Sequence, residues 1–122
     1  MRVLIADDQN SIRDVIKMIV TNMGGEIVGE ACNGQEAIDK FSEIQPDLVL
    51  LDINMPKMDG VEALKQIKLS HPDARAAMLT SQNTTDIVRT CIGYGASHFI
   101  LKTDPQSIQQ ELEKLWKEIN LN

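Results

Sequence analysis

Two short apolar runs, each ending abruptly at aspartate, constrain this chain more than any other feature. Val3-Leu4-Ile5-Ala6 runs into Asp7-Asp8, and Leu48-Val49-Leu50-Leu51 runs into Asp52. Neither run alternates with polar residues. A strand with one wet face alternates, whereas an unbroken run suits a strand buried on both faces. Such strands belong inside a sheet that has helices above and below it.

The segments between and after these runs supply the helices. Ile12, Val15, Ile16, Ile19, Val20 and Met23 recur at helical spacing and end at Gly24-Gly25, a left-handed stop. Ile27-Val28, between Glu26 and Glu30, reads as a shorter strand near an edge. Asn33 with Glu36 forms a capping box for a helix carrying Ala37, Ile38, Phe41 and Ile44, which Pro46 ends. Beyond the loop Asn54 to Gly60, a third helix carries Val61, Leu64 and Ile67 and stops at His71-Pro72. Ala76 to Thr80 is a fourth strand by position, since its alanines favour a strand poorly. Ile87, Val88, Cys91 and Ile92 mark a fourth helix closed by Gly95, and Phe99-Ile100-Leu101 is a fifth strand. Asp104-Pro105 opens the last helix, with Ile108, Leu112, Leu115 and Ile119 as its stripe. The expected fold class is α/β: five strands alternating with five helices, hence a parallel sheet with helices on both faces. At 122 residues the chain reads as one domain, 1–122.

The polar residues that follow the strands form a chemical set. Asp7 and Asp8 follow strand one, Asp52 closes strand three, Thr80 closes strand four and Lys102 follows strand five. Parallel strands bring all of these to one edge of the sheet, where ligands of open α/β sheets bind. Each residue alone has a plain reading: an aspartate caps a helix, a threonine fits a strand, a lysine solvates a strand end. The conjunction is what points to a site. Three carboxylates held close need a cation, and an all-oxygen set favours a hard ion such as Mg²⁺. A carboxylate can also be a nucleophile toward phosphorus, with metal, lysine and hydroxyl neutralising the transferring group. Asp52, central in the set, is the natural nucleophile, with Mg²⁺ beside Asp7 and Asp8 and with Lys102 and Thr80 as the remaining parts.

The segments LIADD (4–8), EACNGQEA (30–37), DLVLLDINMPKMDG (47–60), MLTS (78–81) and GASHFILK (95–102) resemble bacterial response-regulator receiver domains over the whole chain, in particular the single-domain chemotaxis type. The resemblance implies a flavodoxin-like, doubly wound sheet of order 2-1-3-4-5. It implies phosphorylation of Asp52 by a histidine kinase's phosphohistidine or a phosphotransfer protein. Mg²⁺ would sit at Asp8, Asp52 and the backbone carbonyl of Asn54, with Asp7 near or through water. The Thr80 hydroxyl would turn toward the phosphoryl group while Phe99 moves inward, changing the affinity of the helix 4–strand 5–helix 5 face for a protein target. Asn54 and Gln82 would tune dephosphorylation. Monomer and phosphorylation-linked dimer are both compatible with the family.

The chain departs from the family where Lys102 is followed by Thr103 rather than the usual proline. A cis bond before a non-proline costs about 2.5–4 kcal/mol, so a trans bond is expected there. Receivers joined to DNA-binding domains often lack this proline too, but the chain ends with its fifth helix. Three other readings compete with the stand-alone switch. A small aspartate-nucleophile phosphatase would need an acid where Asn54 stands. A phosphate-independent interaction module would not need the complete acidic, Thr and Lys set. The receiver part of a longer regulator with a DNA-binding output is the third. The switch catalyses its own phosphorylation and is not expected to turn over an external substrate.

Composition excludes several partners. A net charge of −6 argues against direct binding of nucleic acid or anionic membrane. Cys32 and Cys91, far apart and in no CxxC pattern, read as two buried, reduced thiols, which implies a cytoplasmic setting. No signal peptide is expected, because Asp7-Asp8 interrupt the first apolar run. His71 and His98 are not placed to be ligands, and Trp116 reads as packing at the core edge.

Overall fold

A computed structural model describes residues 1–81 and 85–120. The chain alternates β1 (Arg2–Ala6), α1 (Asn10–Asn22), β2 (Glu26–Ala31), α2 (Gly34–Ile44), β3 (Leu48–Asp52), α3 (Gly60–Ser70), β4 (Ala76–Thr80), α4 (Thr85–Gly93), β5 (His98–Leu101) and α5 (Pro105–Asn120). All strands pair in parallel in one sheet of order β2-β1-β3-β4-β5. The doubly wound α/β architecture and its strand order are therefore as expected.

Successive side chains of a strand point to opposite faces, and each face has its own helical layer. Val3, Ile5, Leu48 and Leu50 pack with Ile16, Ile19 and Val20 of α1 and with Ile108, Leu112 and Leu115 of α5. Leu4, Ala6, Val49 and Leu51 pack with Ala37 and Phe41 of α2, Leu64 and Ile67 of α3 and Cys91 of α4. Both faces being covered is why the apolar runs are unbroken. Each fully buried Leu or Ile contributes about 1.5–3 kcal/mol.

Local signals set the element ends. Asn33 Oδ1 accepts the Glu36 amide at 2.9 Å, Asp59 Oδ1 the Glu62 amide at 2.9 Å, and Asp104 Oδ1 the Ser107 amide at 2.8 Å. Gly24 (φ +86°) and Gly95 (φ +100°) lie in the left-handed region that follows a helix. Trp116 packs at the edge of the core, its ring against Gly25. No peptide bond among the described residues is cis, so Lys102 joins Thr103 by a trans bond.

Two expectations need correction. β2 is an edge strand, but with six residues it is longer than every other strand. It pairs with β1 along its whole length through an irregularity between Val3 and Leu4, and its half-solvated polar residues only look like boundaries in sequence. Cys91 is buried as expected, but Cys32 is exposed, because β2 ends at Ala31 and the chain turns outward before Asn33 caps α2. Ala76 and Ala77 are fully buried in β4, where pairing with both β3 and β5 overrides their weak strand propensity.

Candidate functional site

The strand order reverses between β1 and β3, and the crevice at their carboxyl ends holds Asp7, Asp8, Asp52, Asn54 and Lys102. Asp7 follows β1 and is fully buried; Asp52 ends β3 and is 2% exposed. Lys102, just past β5, reaches between them, its Nζ 2.9 Å from Asp7 Oδ2 and 2.9 Å from Asp52 Oδ2. The second oxygen of Asp7 accepts the Gln9 amide at 2.9 Å, and Asp52 Oδ1 accepts the Asn54 amide at a longer 3.3 Å. Asp8 is exposed at the mouth. Carboxylate oxygens of Asp7, Asp8 and Asp52 all lie within 4.8 Å of one another. Asp8, Gln9, Ile12, Asp52, Asn54, Ser81 and Lys102 line a cleft of about 350 Å³ over this cluster.

The electrostatics are unbalanced. Three carboxylates meet one lysine, so the ionised cluster carries two excess negative charges. Burial pushes the Asp52 carboxyl above its usual range; Asp7 adds to this, and Lys102 with the Asn54 amide only partly opposes it. For Lys102 burial pulls the other way, but its bonds to Asp52 and Asp7 prevail and hold the ammonium above its usual range. A divalent cation in the cleft would cancel the excess. The donor set suits Mg²⁺: carboxylate oxygens without imidazole or thiolate, in a cleft wide enough for the waters Mg²⁺ retains.

The other predicted residues are placed as follows. Thr80 ends β4 buried and does not line the cleft, which its neighbour Ser81 does; the Lys102 amide donates to the Thr80 carbonyl at 2.9 Å. Phe99 is half-buried, packed against the α2–α3–α4 layer. It also borders a second cavity of about 250 Å³ with Leu101, Ser107, Gln110 and Glu111. Asn54 is exposed on the cleft wall, while Gln82 lies outside the described residues. Neither histidine belongs to the site: His71 lies against the Phe41 ring, and His98 bonds Glu118 and Ser97.

Two residues were missed in the sequence. Gly60, the first residue of α3, passes so close to β3 that a Cβ there would sit 1.9 Å from the Asp52 carbonyl oxygen. Arg13 is buried under the Asp7-Asp8 turn. A signal for Arg13 was present, since it occupies the face of α1 that carries Ile16 and Val20. Nothing local marks Gly60, because the path of the loop joining β3 to α3 decides the close approach.

The chain is similar to known proteins over most of its length. The family described as response regulator receiver domain matches residues 3–113. The chain is 39% identical to the chemotaxis protein CheY of Thermotoga maritima over 117 residues, covering 95% of this chain and 98% of that one. It is 42% identical to CheY of Bacillus subtilis over 119 residues, 98% of each. Longer regulators match in part: a probable C4-dicarboxylate response regulator of Halalkalibacterium halodurans is 38% identical over 103 residues, 45% of its length. Among solved structures, the response regulator domain of Thermotoga maritima CheB superposes with a TM-score of 0.90 at 32% identity, covering 100% of this chain and 98% of that one. The CheX–CheY–BeF3–Mg²⁺ complex from Borrelia burgdorferi superposes with a TM-score of 0.88 at 33% identity, covering 95% and 89%.

Proposed function

The chain belongs to the response regulator receiver domain family, and from that premise we propose that Asp52 is its phosphoryl acceptor and that residues 1–122 form one receiver domain. Phosphoryl acceptance and partner switching are typical of the family, whose members are signalling switches. The observation that carries the assignment is the bridging of Asp7 and Asp52 by Lys102 at the floor of an acidic cleft.

In the proposed reaction a carboxylate oxygen of Asp52 attacks the phosphorus of a phosphohistidine on a sensor kinase or phosphotransfer protein. The new O–P bond forms as the N–P bond breaks, and the imidazole leaves as a neutral ring by taking a proton from solvent. Asp7, Asp8, Asp52 and the Asn54 carbonyl would hold Mg²⁺, which supplies charge neutralisation on the transferring group. Lys102 keeps the Asp52 carboxylate oriented, then pairs with the phosphoryl oxygens. Thr80, at the adjacent strand end, supplies a hydroxyl to the product. Thr80 and Phe99 form the switch, and phosphate biases them between two arrangements. The α4–β5–α5 face then changes its affinity for a downstream protein. Asn54 and Gln82 orient the water that hydrolyses the acyl phosphate. The switch turns over no external substrate and works in the cytoplasm, as a monomer or a phosphorylation-linked dimer, without touching nucleic acid or membrane. The net charge of −6 supports the exclusion of nucleic acid, and no helix among the described residues is long and apolar enough to cross a membrane.

Intact mass after incubation with acetyl phosphate tests the acceptor. One phosphoryl group, requiring Mg²⁺ and absent in Asp52→Ala, is expected. No added mass from either acetyl phosphate or a phosphohistidine donor would overturn the assignment.

A further inference from the structure

We infer that Arg13 is a positioning residue for the acidic pair: it fixes the Asp7–Asp8 peptide so that Asp8 faces the cation site. Arg13 is a buried basic residue, at 8% exposure. Its donors reach the Asp7–Asp8 turn, β2 and the first residue of its own helix. Nη1 donates to the backbone carbonyl of Asp7 at 2.5 Å, Nε to Glu30 Oε1 on β2 at 3.0 Å, and Nη2 to the Asn10 side-chain oxygen. Lys17, one turn further along α1, shares the other Glu30 oxygen at 3.3 Å.

The carbonyl that Arg13 holds belongs to the peptide joining Asp7 to Asp8. A trans peptide is planar, so fixing that carbonyl fixes the direction in which the Asp8 Cα leaves the strand. Asp7 is also held through its amide, by the Ala31 carbonyl at 3.0 Å, and through its side chain, by Gln9 and Lys102. Asp8 is exposed and depends on this peptide for its aim. Arginine suits the task, since its planar fork serves several acceptors in a fixed geometry, which an ammonium cannot do. Charge alone does not explain it. A guanidinium beside an acidic cluster repels a metal ion, so by Coulomb's law its removal would tighten Mg²⁺ binding. Removal of a positioning group has the opposite sign.

The inference rests on the proposed Mg²⁺ site, and calorimetric titration of the unphosphorylated protein with Mg²⁺ tests it. Arg13→Met is expected to weaken Mg²⁺ binding by about 10- to 100-fold, the usual effect of losing a group that orients a metal ligand. Arg13→Lys keeps the charge but loses the fork and is expected to weaken it too, as is Glu30→Gln to a smaller extent. Leu112→Ala, on α5 in the core layer that α1 shares, is the control: it lowers the melting temperature and leaves Mg²⁺ affinity unchanged. Unchanged or tighter Mg²⁺ binding by Arg13→Met overturns the inference, as does an equal loss in Leu112→Ala. Should Arg13→Met not fold, unchanged binding in Glu30→Gln overturns it instead. If wild type binds Mg²⁺ and Asp8→Asn does not, while Arg13→Met binds normally, this inference alone fails. Absence of Mg²⁺ binding by wild type removes the site and the inference together.

Discussion

Gly60→Ala should damage both the fold and the site. Gly60 opens α3 behind the Asp59 cap, and its amide donates to the Ile53 carbonyl at 2.9 Å. A Cβ there would lie 1.9 Å from the Asp52 carbonyl oxygen, 2.8 Å from the Asp52 carbonyl carbon and 3.1 Å from the Ile53 Cα. All three neighbours are backbone, so no rotamer relieves the clash. The two backbone segments must separate by about 1 Å to reach the 3.0 Å that real contacts respect. Overpacking costs about 1–3 kcal/mol, and stretching the Gly60–Ile53 bond adds about 0.5–1.5 kcal/mol. Against this, alanine gains less than about 1 kcal/mol of helix propensity at a first-turn position. The net loss is about 2–3 kcal/mol, or roughly 8–15 °C in melting temperature for a chain of this size. The carboxylate moves with its backbone, and a misplacement of about 1 Å can cost about 100-fold in rate. Thermal melting by circular dichroism and the rate of phosphorylation by acetyl phosphate read the two effects. Gly93→Ala is the internal control: it also lies in a helix, but its added Cβ meets nothing within 4 Å, so it should melt at or slightly above wild type. A Gly60→Ala variant that melts with wild type and phosphorylates at the wild-type rate would refute the reasoning.

Other expectations follow from the same geometry. Because burial raises the Asp52 carboxyl, its ionisation opposes folding: the associated stability is complete below the unfolded carboxylate range and is lost as pH rises through the folded value. Asp52→Asn should therefore melt higher than wild type at neutral pH in EDTA, lose that advantage below about pH 4, and show weaker stabilisation by Mg²⁺ than wild type. Equal melting temperatures in EDTA would contradict this. Asp104 shifts the other way, held low by the Ser107 amide, so its contribution is present above its ordinary value of 3.8 and lost as pH falls through the lower folded value. Urea midpoints between neutral pH and about pH 3 should fall less steeply in Asp104→Asn than in wild type. In thiol labelling, burial and then the Asp59 charge raise the Cys91 thiol, whereas Cys32 is exposed. One equivalent should react in the native protein and a second only after unfolding; rapid native labelling of both would contradict the burial of Cys91.

The elements and their ends were legible in the sequence because they rest on interactions between near neighbours. The apolar runs at Val3 and Leu48, the caps at Asn33 and Asp104, and the glycine stops at Gly24 and Gly95 follow from backbone sterics, hydrogen bonding and periodicity over a few residues. So does the convergence of Asp7, Asp8, Asp52, Thr80 and Lys102 on one edge, since parallel strands share a polarity. Strand order entered only through family resemblance, as no local pattern says which strand neighbours which. The length of β2 and the exposure of Cys32 were misjudged because an edge strand is half-solvated and mixes both kinds of residue. Tertiary structure alone decided that Lys102 bridges Asp7 and Asp52, that Arg13 turns inward onto the Asp7 carbonyl, and that Gly60 touches the backbone of Asp52. The first depends on the distance between segments far apart in the chain, and the other two on the distance between a strand end and the helix that follows it. These distances are set by how the two helical layers pack on the sheet, and no spacing within the sequence encodes them.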